Sequence, residues 1–393
     1  MVCVHERTQA YLRGRFGDHY RNQSIDPPPE ANEREWGYVP WTEGPGETYS
    51  RHNAMIDLGN LDDFLARERP KHVYYSAGRY DDPGATTMSE KGWRSSDLIF
   101  DLDADHLPST TPDDSYAEML ADCKEALFRL LDFLESDFGF EEMQIVFSGS
   151  RGYHVHVRDP GIQRLESDAR REIVDYVRGI GLEFDELVEE ETVAGLGRKT
   201  PAENRYLPTE GGWGKRIHEK LVAVLSEVRD LPEEEALDRL QEYDGIGEGR
   251  AQAAYNLTQN RFVEIERGNL SAHAVFAQLA RKFADEVVAE ENAQIDEPVS
   301  TDTNRLIRLP GSLHGGSGLA VRRIEREDIE AFDPLVDAVP ETFTNHEITV
   351  EVTDPGTVEL AGDSFTLEEG VHTVPEYVGV FLMARGRAEK GEE

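Results

Sequence analysis

The chain has 393 residues, 38% of them hydrophobic, which is enough for one large folded core with an insertion or for two or three domains. No apolar run approaches the roughly 20 residues of a membrane span, and the charged N-terminal sequence predicts no signal peptide. Two cysteines without a CxxC motif argue against a disulfide framework or a cysteine-rich zinc site and indicate a reducing cytoplasm.

The net charge is strongly negative: 79 acidic against 41 basic side chains give −38. Such a surface repels nucleic acid at low salt, but it suits a cell interior with molar salt, where the screening length falls to about 3 Å. We therefore expect a halophilic host. An acidic protein with no nucleic-acid role is the alternative. The arginine-rich stretch from Asn304 to Arg326 argues against it, because it favours an anionic ligand over simple pairing with nearby acids.

The first half of the chain predicts alternating helices and strands. A helix over 4–22 precedes a Pro/Gly-rich, irregular stretch over 23–50. Further strands and helices follow in order: a strand His72–Ser76, a strand Leu98–Asp103, an amphipathic helix over 115–138, and two strands, Met143–Phe147 and Tyr153–Val157, joined by SGSRG. The almost unbroken apolar run before Asp103 predicts a central strand that is buried on both faces.

The second half predicts a helical region and a return to strands. Residues 164–290 form a helical insertion, with helices starting near Arg164, Arg216, Glu233, Arg250 and Ser271. A strand pair, Arg305–Leu309 and Leu319–Ile324, follows. Residues 345–393 predict short strands around 347–360, a helix from Glu376 and frayed final residues. This order predicts a mixed α/β (α+β) fold with a helical insertion between two strand-rich parts.

Two aspartates end the apolar strand in SSDLIFDLDADH. Asp101 and Asp103 are two residues apart, so both carboxylates point to one face of the strand. Paired carboxylates repel each other unless a cation lies between them, and Mg²⁺ prefers hard oxygen ligands. Asp105 is interpreted as a solvated acid or a supporting residue. Phosphatases of the haloacid-dehalogenase type also carry DxD, but usually near the N-terminus and before Gly-Thr, which disfavours that alternative.

The sequence SGSRGYH predicts an anion-binding turn between two strands. Gly149 and Gly152 let backbone N–H groups approach an anion, and Arg151 can bind a phosphate through two hydrogen bonds. Ser148 and His154 flank the turn. An ordinary hairpin with a polar turn is the alternative, and for His156 alone a structural role is favoured.

A third block, IDEPVSTDTNRLIRLPGSLHGG, combines acids, arginines and a histidine. Asp296 or Asp302 could supply a third carboxylate. Strand alternation predicts that Arg305 and Arg308 face opposite sides, and we choose Arg308 as the residue that contacts a triphosphate. His314 follows a Pro-Gly turn.

Taken together and in this order, the three blocks resemble the catalytic small subunit of archaeal and eukaryotic DNA primase. The resemblance rests on FDLDADH at 100–106, SGSRGYH at 148–154 and NRLIRLPGSLHGGSGL at 304–319, with weaker matches in YYSAGRY at 74–80, GGWG at 211–214 and the C-terminal PEYVGVFLMARGRAE. It implies one catalytic domain over 1–393 with the archaeo-eukaryotic primase core, whose sheet is similar to an RNA-recognition-motif module, and with the helical insertion over 164–290.

The resemblance also implies roles for individual residues. Asp101, Asp103 and Asp296 would be the catalytic residues that bind two Mg²⁺ or Mn²⁺ ions, and Asp296 is preferred to Asp302 because its spacing matches the family. The positions that contact the incoming nucleotide are Ser148, Arg151, His154, Arg308 and His314. The expected activity is template-directed synthesis of short primers for DNA replication, with RNA as the main product and DNA as the alternative.

The implied partners are a primase large subunit, a single-stranded DNA template and NTPs or dNTPs, with no membrane. Many relatives carry a cysteine-rich zinc knob after the DxD block, whereas LPSTTPDDSYAEMLADCKEAL has one cysteine, so no structural zinc is expected. A stand-alone repair primase-polymerase, a metal-dependent phosphatase and a catalytically inactive nucleic-acid-binding subunit are the alternatives. The three aspartates argue against the last.

Overall fold

The computed structural model describes residues 6–41, 48–107, 109–111, 114–193, 202–292 and 295–392. Within these ranges the strands are β1 Trp36–Val39, β2 Ser50–Asn53, β3 His72–Ser76, β4 Gly78–Tyr80, β5 Trp93–Ser96, β6 Leu98–Asp103, β7 Met143–Phe147, β8 Gly152–Val157, β9 Glu189–Val193, β10 Ala202–Tyr206, β11 Leu306–Arg308, β12 Arg322–Ile324, β13 Glu347–Val352, β14 Gly356–Leu360, β15 Asp363–Leu367, β16 Gly370–Pro375 and β17 Ala388–Lys390.

The α-helices of the same ranges are α1 Glu6–Asn22, α2 Met55–Leu58, α3 Leu61–Glu68, α4 Met88–Lys91, α5 Tyr116–Asp132, α6 Ser167–Val177, α7 Gly212–Asp230, α8 Glu233–Gln241, α9 Glu248–Asn260, α10 Phe262–Glu266, α11 Ala274–Glu291, α12 Glu297–Thr301, α13 Pro334–Asp337 and α14 Glu376–Ala384. The mixed α/β prediction is confirmed. None of these helices is long and apolar enough to cross a membrane.

The chain divides into two compact units, and the first contains Met1–Leu127, Phe140–Val174 and Gln294–Glu393. Its two four-stranded antiparallel sheets have the strand orders β11-β3-β1-β2 and β12-β7-β8-β6. β-branched and aromatic side chains of these strands, such as Val155 and Tyr153 of β8, are buried in the core. Leu98, Phe100 and Leu102 of β6 are all fully buried.

The prediction of a central position for β6 is wrong. Among the described strands β6 pairs only with β8 and lies at the end of its sheet. Its outer edge is covered instead by the start of α12, where the N–H of Asp296 donates a 2.9 Å hydrogen bond to the carbonyl of Asp101. The apolar run correctly predicts that β6 is buried. An edge strand that is covered by another element is, however, as buried as a central strand.

Two predictions of irregular structure are also wrong. The stretch over 23–50 contains β1, which lies between β3 and β2 in its sheet. The final residues are not frayed: β17 pairs with β13, and Lys390 is buried with its N–H donating to Thr8 Oγ1 at 2.9 Å. Pairing with a strand distant in sequence stabilises both segments, and no local sequence signal predicts it.

The second unit contains Phe128–Gly139 and Asp175–Ala293 and is mostly helical. Trp213, Leu221 and Leu225 of α7 and Phe276 and Phe283 of α11 are buried in its core. The helix starts predicted from 164 to 290 agree with the observed ones within four residues. The hairpin β9–β10 was not predicted. The insertion over 164–290 and the C-terminal segment over 345–393 of a single catalytic domain stay a prediction.

Candidate active site

The two DxD carboxylates lie at the end of β6. Antiparallel pairing with β8 places Asp101 opposite His154 and Asp103 opposite Gly152. The backbone hydrogen bond from Asp296 to Asp101 then brings the third aspartate beside the first. The rival residue, Asp302, accepts a 2.8 Å hydrogen bond from the N–H of Asn304 within its own turn.

The three carboxylates interact electrostatically. Burial raises the pKa of Asp101 from 3.8 to about 7, and the negative charges of Asp103 and Asp296 add to the rise. The positive charges of Arg305 and Arg308 oppose it with smaller effects. A carboxyl that is half-neutral near pH 7 is therefore held among like charges, which is the arrangement that a bound cation would relieve.

The donor set fits a hard divalent cation. Carboxylate oxygens are the ligands that Mg²⁺ and Mn²⁺ prefer. In the part of the chain that the structure describes, no group of three His, Cys, Asp or Glu side chains is arranged to hold a metal ion as it stands. The assignment of Asp101, Asp103 and Asp296 as metal ligands stays a prediction.

The turn between β7 and β8 depends on its glycines. Gly149 has a φ of +80°, in the left-handed region that favours glycine. The N–H of Ser148 donates to the carbonyl of Gly152 at 2.9 Å, and the N–H of Ser150 donates to Ser148 Oγ at 3.4 Å. The turn is therefore closed by its own backbone together with the Ser148 hydroxyl.

Arg151 extends from this turn toward solvent. Its guanidinium forms a 2.5 Å ion pair with the carboxylate of Asp105, and about a third of its side chain is exposed. Asp105 was interpreted as a solvated or supporting residue, and it here holds Arg151. Replacing Asp105 by a phosphate as the partner of Arg151 costs little free energy, because a surface ion pair contributes only about 0–1 kcal/mol to stability.

The turn packs against the segment that follows β11. A Cβ on Gly149 would lie 2.8 Å from the Cβ of His314, so the two segments approach closely. Ser317 Oγ donates a 2.5 Å hydrogen bond to the carbonyl of Gly149. His314 Nδ1 accepts from the N–H of Gly316 at 3.2 Å. These contacts bring Ser148 and His314 close together. Ser317, which contributes one of them, was not predicted as a site residue.

A cavity of about 460 Å³, here called the Arg308 cavity, is lined in part by Asp101 and His154 from the β6–β8 pair and by Arg305 and Arg308. The lining also contains Leu306 and Ile307, so it does not decide whether Arg305 and Arg308 face opposite sides, and that call stays a prediction. Strand β11 begins at Leu306, so Arg305 lies outside the strand, where two-residue alternation does not apply. The choice of Arg308 as the phosphate ligand stays a prediction.

Three further residues of this cavity were missed: Tyr49, Arg51 and Tyr74. Tyr74 lies opposite Arg308 across the β3–β11 pair, and its hydroxyl accepts from the Tyr49 hydroxyl at 3.1 Å. Tyr49 falls in the stretch that was predicted to be irregular. For Tyr74 the sequence did contain a signal, because side chains alternate between the two faces of a strand and His72 and Tyr74 therefore lie on the same face of β3.

Burial favours the neutral form of His154, His156 and His314. Burial lowers the pKa of His154 to about 3, with Arg308 contributing, while its Nε2 lies 3.3 Å from Asp101 Oδ1. Burial lowers the pKa of His314 and of His156 well below 6.5. His156 stacks on Tyr75 with ring centroids 6.2 Å apart, and its ring nitrogens have no hydrogen-bond partner among the described residues. This contact suits the structural role favoured for His156, though without hydrogen bonds.

A second cavity of about 510 Å³ lies elsewhere in the same unit. It is lined by one face of α5, residues 330–336 and the β14–β15 hairpin, including Leu120, Phe332 and Leu360. None of the predicted site residues lines it. The smaller Arg308 cavity is therefore the better candidate, because it combines acidic, basic and neutral imidazole groups.

Interacting aspartates beside a cavity lined by arginines are typical of enzymes that act on phosphorylated substrates, among them the nucleotidyltransferases. Residues 100–326 match the profile of the family described as DNA primase small subunit. The chain belongs to this family.

Relatives support the assignment over nearly the full length. The DNA primase small subunit of Haloarcula marismortui is 68% identical over 392 residues, covering 99% of this chain and 100% of that protein. The subunit of Halobacterium salinarum is 59% identical over 391 residues, covering 99% and 100%. That of Methanococcoides burtonii is 40% identical over 392 residues, covering 98% and 99%.

The sequence interpretation is therefore confirmed at the level of family and activity. The chain is an enzyme, a primer-synthesising nucleotidyltransferase, and its fold is that of primase small subunits. The relatives come mostly from halophilic archaea, as the charge predicts. The phosphatase and stand-alone repair alternatives are not favoured.

Proposed function

We propose that this chain performs template-directed nucleotidyl transfer at the Arg308 cavity, with Asp101, Asp103 and Asp296 holding two Mg²⁺ or Mn²⁺ ions. Bound there, the ions would lower the pKa of the attacking 3′-hydroxyl and stabilise the pyrophosphate leaving group. The observation that carries the proposal is the position of Asp101, hydrogen-bonded through its backbone to Asp296, in a cavity lined by Arg305 and Arg308. Burial and the charges of Asp103 and Asp296 raise the pKa of Asp101 to about 7, which agrees with a cation site.

The protein groups around the aspartates would bind the triphosphate. Arg308 presents a fixed guanidinium to the cavity, and Arg151 can exchange its exposed ion pair with Asp105 for a phosphate oxygen. His154 and His314 are neutral, so each can donate one ring N–H without adding charge. Ser148 offers its hydroxyl from the turn. Such preorganised donors act on charge that develops on the β- and γ-phosphates.

The context of the reaction is also part of the proposal. The substrates are NTPs, with dNTPs as possible alternatives, and the template is single-stranded DNA. The family name of the relatives, small subunit, supports a larger partner subunit. Phosphate-only template binding weakens steeply with salt, so short-range contacts at the site matter more than steering. We place the enzyme in a high-salt cytoplasm. We also propose that residues 1–393 form one catalytic domain, with residues 164–290 as its helical insertion.

A primer-synthesis assay tests the assignment. Wild type, Asp101→Ala, Asp103→Ala and Asp302→Ala are given single-stranded template, labelled NTPs and MnCl₂ in multimolar KCl, with and without the large subunit. We expect template-dependent oligonucleotides from wild type and Asp302→Ala, and none from the other two, while circular dichroism shows that all variants fold. Synthesis by either Asp101→Ala or Asp103→Ala would refute the metal assignment.

A further inference from the structure

His72 connects two residues of the proposed triphosphate site. It opens β3, only 6% of its surface is exposed, and no block of the sequence singled it out. Its ring lies on the same face of β3 as Tyr74, two residues later. A buried polar ring at the start of a strand requires hydrogen-bond partners, and those of His72 lie in the segment from β11 to Gly315.

The guanidinium of Arg308 is held by this face of β3. Arg308 Nη1 donates to His72 Nδ1 at 2.7 Å and to the hydroxyl of Tyr74 at 3.0 Å. The guanidinium carbon also lies 5.2 Å from the centre of the Tyr74 ring. Both hydrogen bonds use Nη1, and the N–H groups on Nε and Nη2 take no part in them. One edge of the planar group is therefore anchored, while the other can point into the cavity.

The hydrogen bonds also define the protonation state of His72. Its Nδ1 accepts from Arg308 and, at 3.3 Å, from the backbone N–H of Gly315, and neither group can accept in return. Nδ1 must therefore carry no proton. Burial and the positive charges of Arg308 and Lys71 lower the pKa of His72 well below 6.5, in agreement with a neutral ring.

His72 contacts His314 as well. The two rings meet edge to face, with centroids 4.9 Å apart and planes at 70°. The same ring thus accepts from Arg308, accepts from the backbone beside His314, and packs on His314 itself. We propose that His72 is a positioning residue that orients Arg308 toward the triphosphate and keeps His314 beside it. The proposal rests on the triphosphate role given to Arg308 above.

A double-mutant cycle separates this role from simple core packing. Dissociation constants for ATP with MnCl₂ are measured by calorimetry in multimolar KCl, without template, for wild type, His72→Leu, Arg308→Ala and the double variant. Leucine has about the volume of the histidine side chain but lacks the hydrogen-bond acceptor Nδ1. We expect about ten-fold weaker binding, as for loss of one hydrogen bond to a charged group. In the Arg308→Ala background the same change should have no further effect.

A conservative variant and a stability measurement complete the test. His72→Asn keeps an acceptor near the Nδ1 position and should bind ATP within about three-fold of wild type. If thermal unfolding shows that His72→Leu does not fold, His72→Gln, which places its acceptor elsewhere, replaces it in the cycle. An unchanged dissociation constant in His72→Leu, or an equal loss with and without Arg308, overturns the inference. An unchanged constant in Arg308→Ala overturns the triphosphate role of Arg308 itself.

Discussion

The substitution Asp101→Asn should stabilise the metal-free protein while destroying its response to metal. Asparagine has nearly the shape of aspartate but no charge. The pKa of Asp101 rises from 3.8 to about 7 on folding, chiefly through burial. At about 1.4 kcal/mol per pKa unit, ionised Asp101 destabilises the metal-free folded state by roughly 4 kcal/mol.

The pH dependence follows from the direction of this change. A carboxyl whose pKa is raised in the folded state lowers stability progressively as the pH rises from the unfolded to the folded pKa, and by the full amount above the folded pKa, because the folded state disfavours the ionised form. The difference between wild type and Asp101→Asn should therefore be largest above pH 7, decrease as the pH falls through 7, and vanish below 3.8. Burial is unaffected by salt, so the effect should persist in multimolar KCl, where repulsion from Asp103 and Asp296 is screened.

Urea-induced unfolding, followed by tryptophan fluorescence, measures the effect with EDTA present and with MnCl₂. Asp302→Asn is the matched control, since Asp302 lines the same cavity but is hydrogen-bonded within its own turn. With EDTA near pH 8 we expect Asp101→Asn to unfold at higher urea than wild type, with a gain of several kcal/mol. At about 100 times the dissociation constant, MnCl₂ should stabilise wild type by about 2.7 kcal/mol and the variant by much less.

Either of two results would refute this reasoning. The first is an Asp101→Asn variant no more stable than Asp302→Asn in EDTA near pH 8. The second is equal stabilisation of Asp101→Asn and wild type by MnCl₂.

Three other outcomes are expected. Asp296→Ala should lower primer synthesis by more than about 100-fold, beyond the loss typical of residues that only support a metal ligand, whereas comparable activity in Asp296→Ala and Asp302→Ala would contradict the choice between them. Gly149→Ala should lower the free energy of unfolding by about 1–3 kcal/mol and raise the KM for NTP, because a Cβ at this position would meet His314. Gly362→Ala is the control, since Gly362 has a φ of +83° but nothing within 4 Å of the added Cβ. It should lower the free energy of unfolding by about 1 kcal/mol and leave the KM unchanged. Adding EDTA should abolish synthesis and MnCl₂ or MgCl₂ restore it, and synthesis that persists in EDTA would exclude a metal-dependent reaction.

Part of this site could be predicted from the sequence because its signals are local. The apolar run before Asp101 indicates a buried strand, and the spacing of Asp101 and Asp103 puts both on one face. The glycines of SGSRG indicate a tight turn, and Gly149 does adopt a positive φ. Strand bounds such as His72–Ser76 agree with the prediction for the same reason.

The sequence by itself determined the fold class, the family and the paired carboxylates, because residues close along the chain carry those signals. Only the tertiary structure decided that β6 lies at a covered edge, that Arg305 and Arg308 line one cavity, and that His72 holds Arg308. The contact between His72 and Arg308 joins β3 and β11, which lie far apart along the chain (|i−j| = 236). Strand pairing depends on which distant partner completes the hydrogen bonds and the packing, and no local pattern encodes that choice.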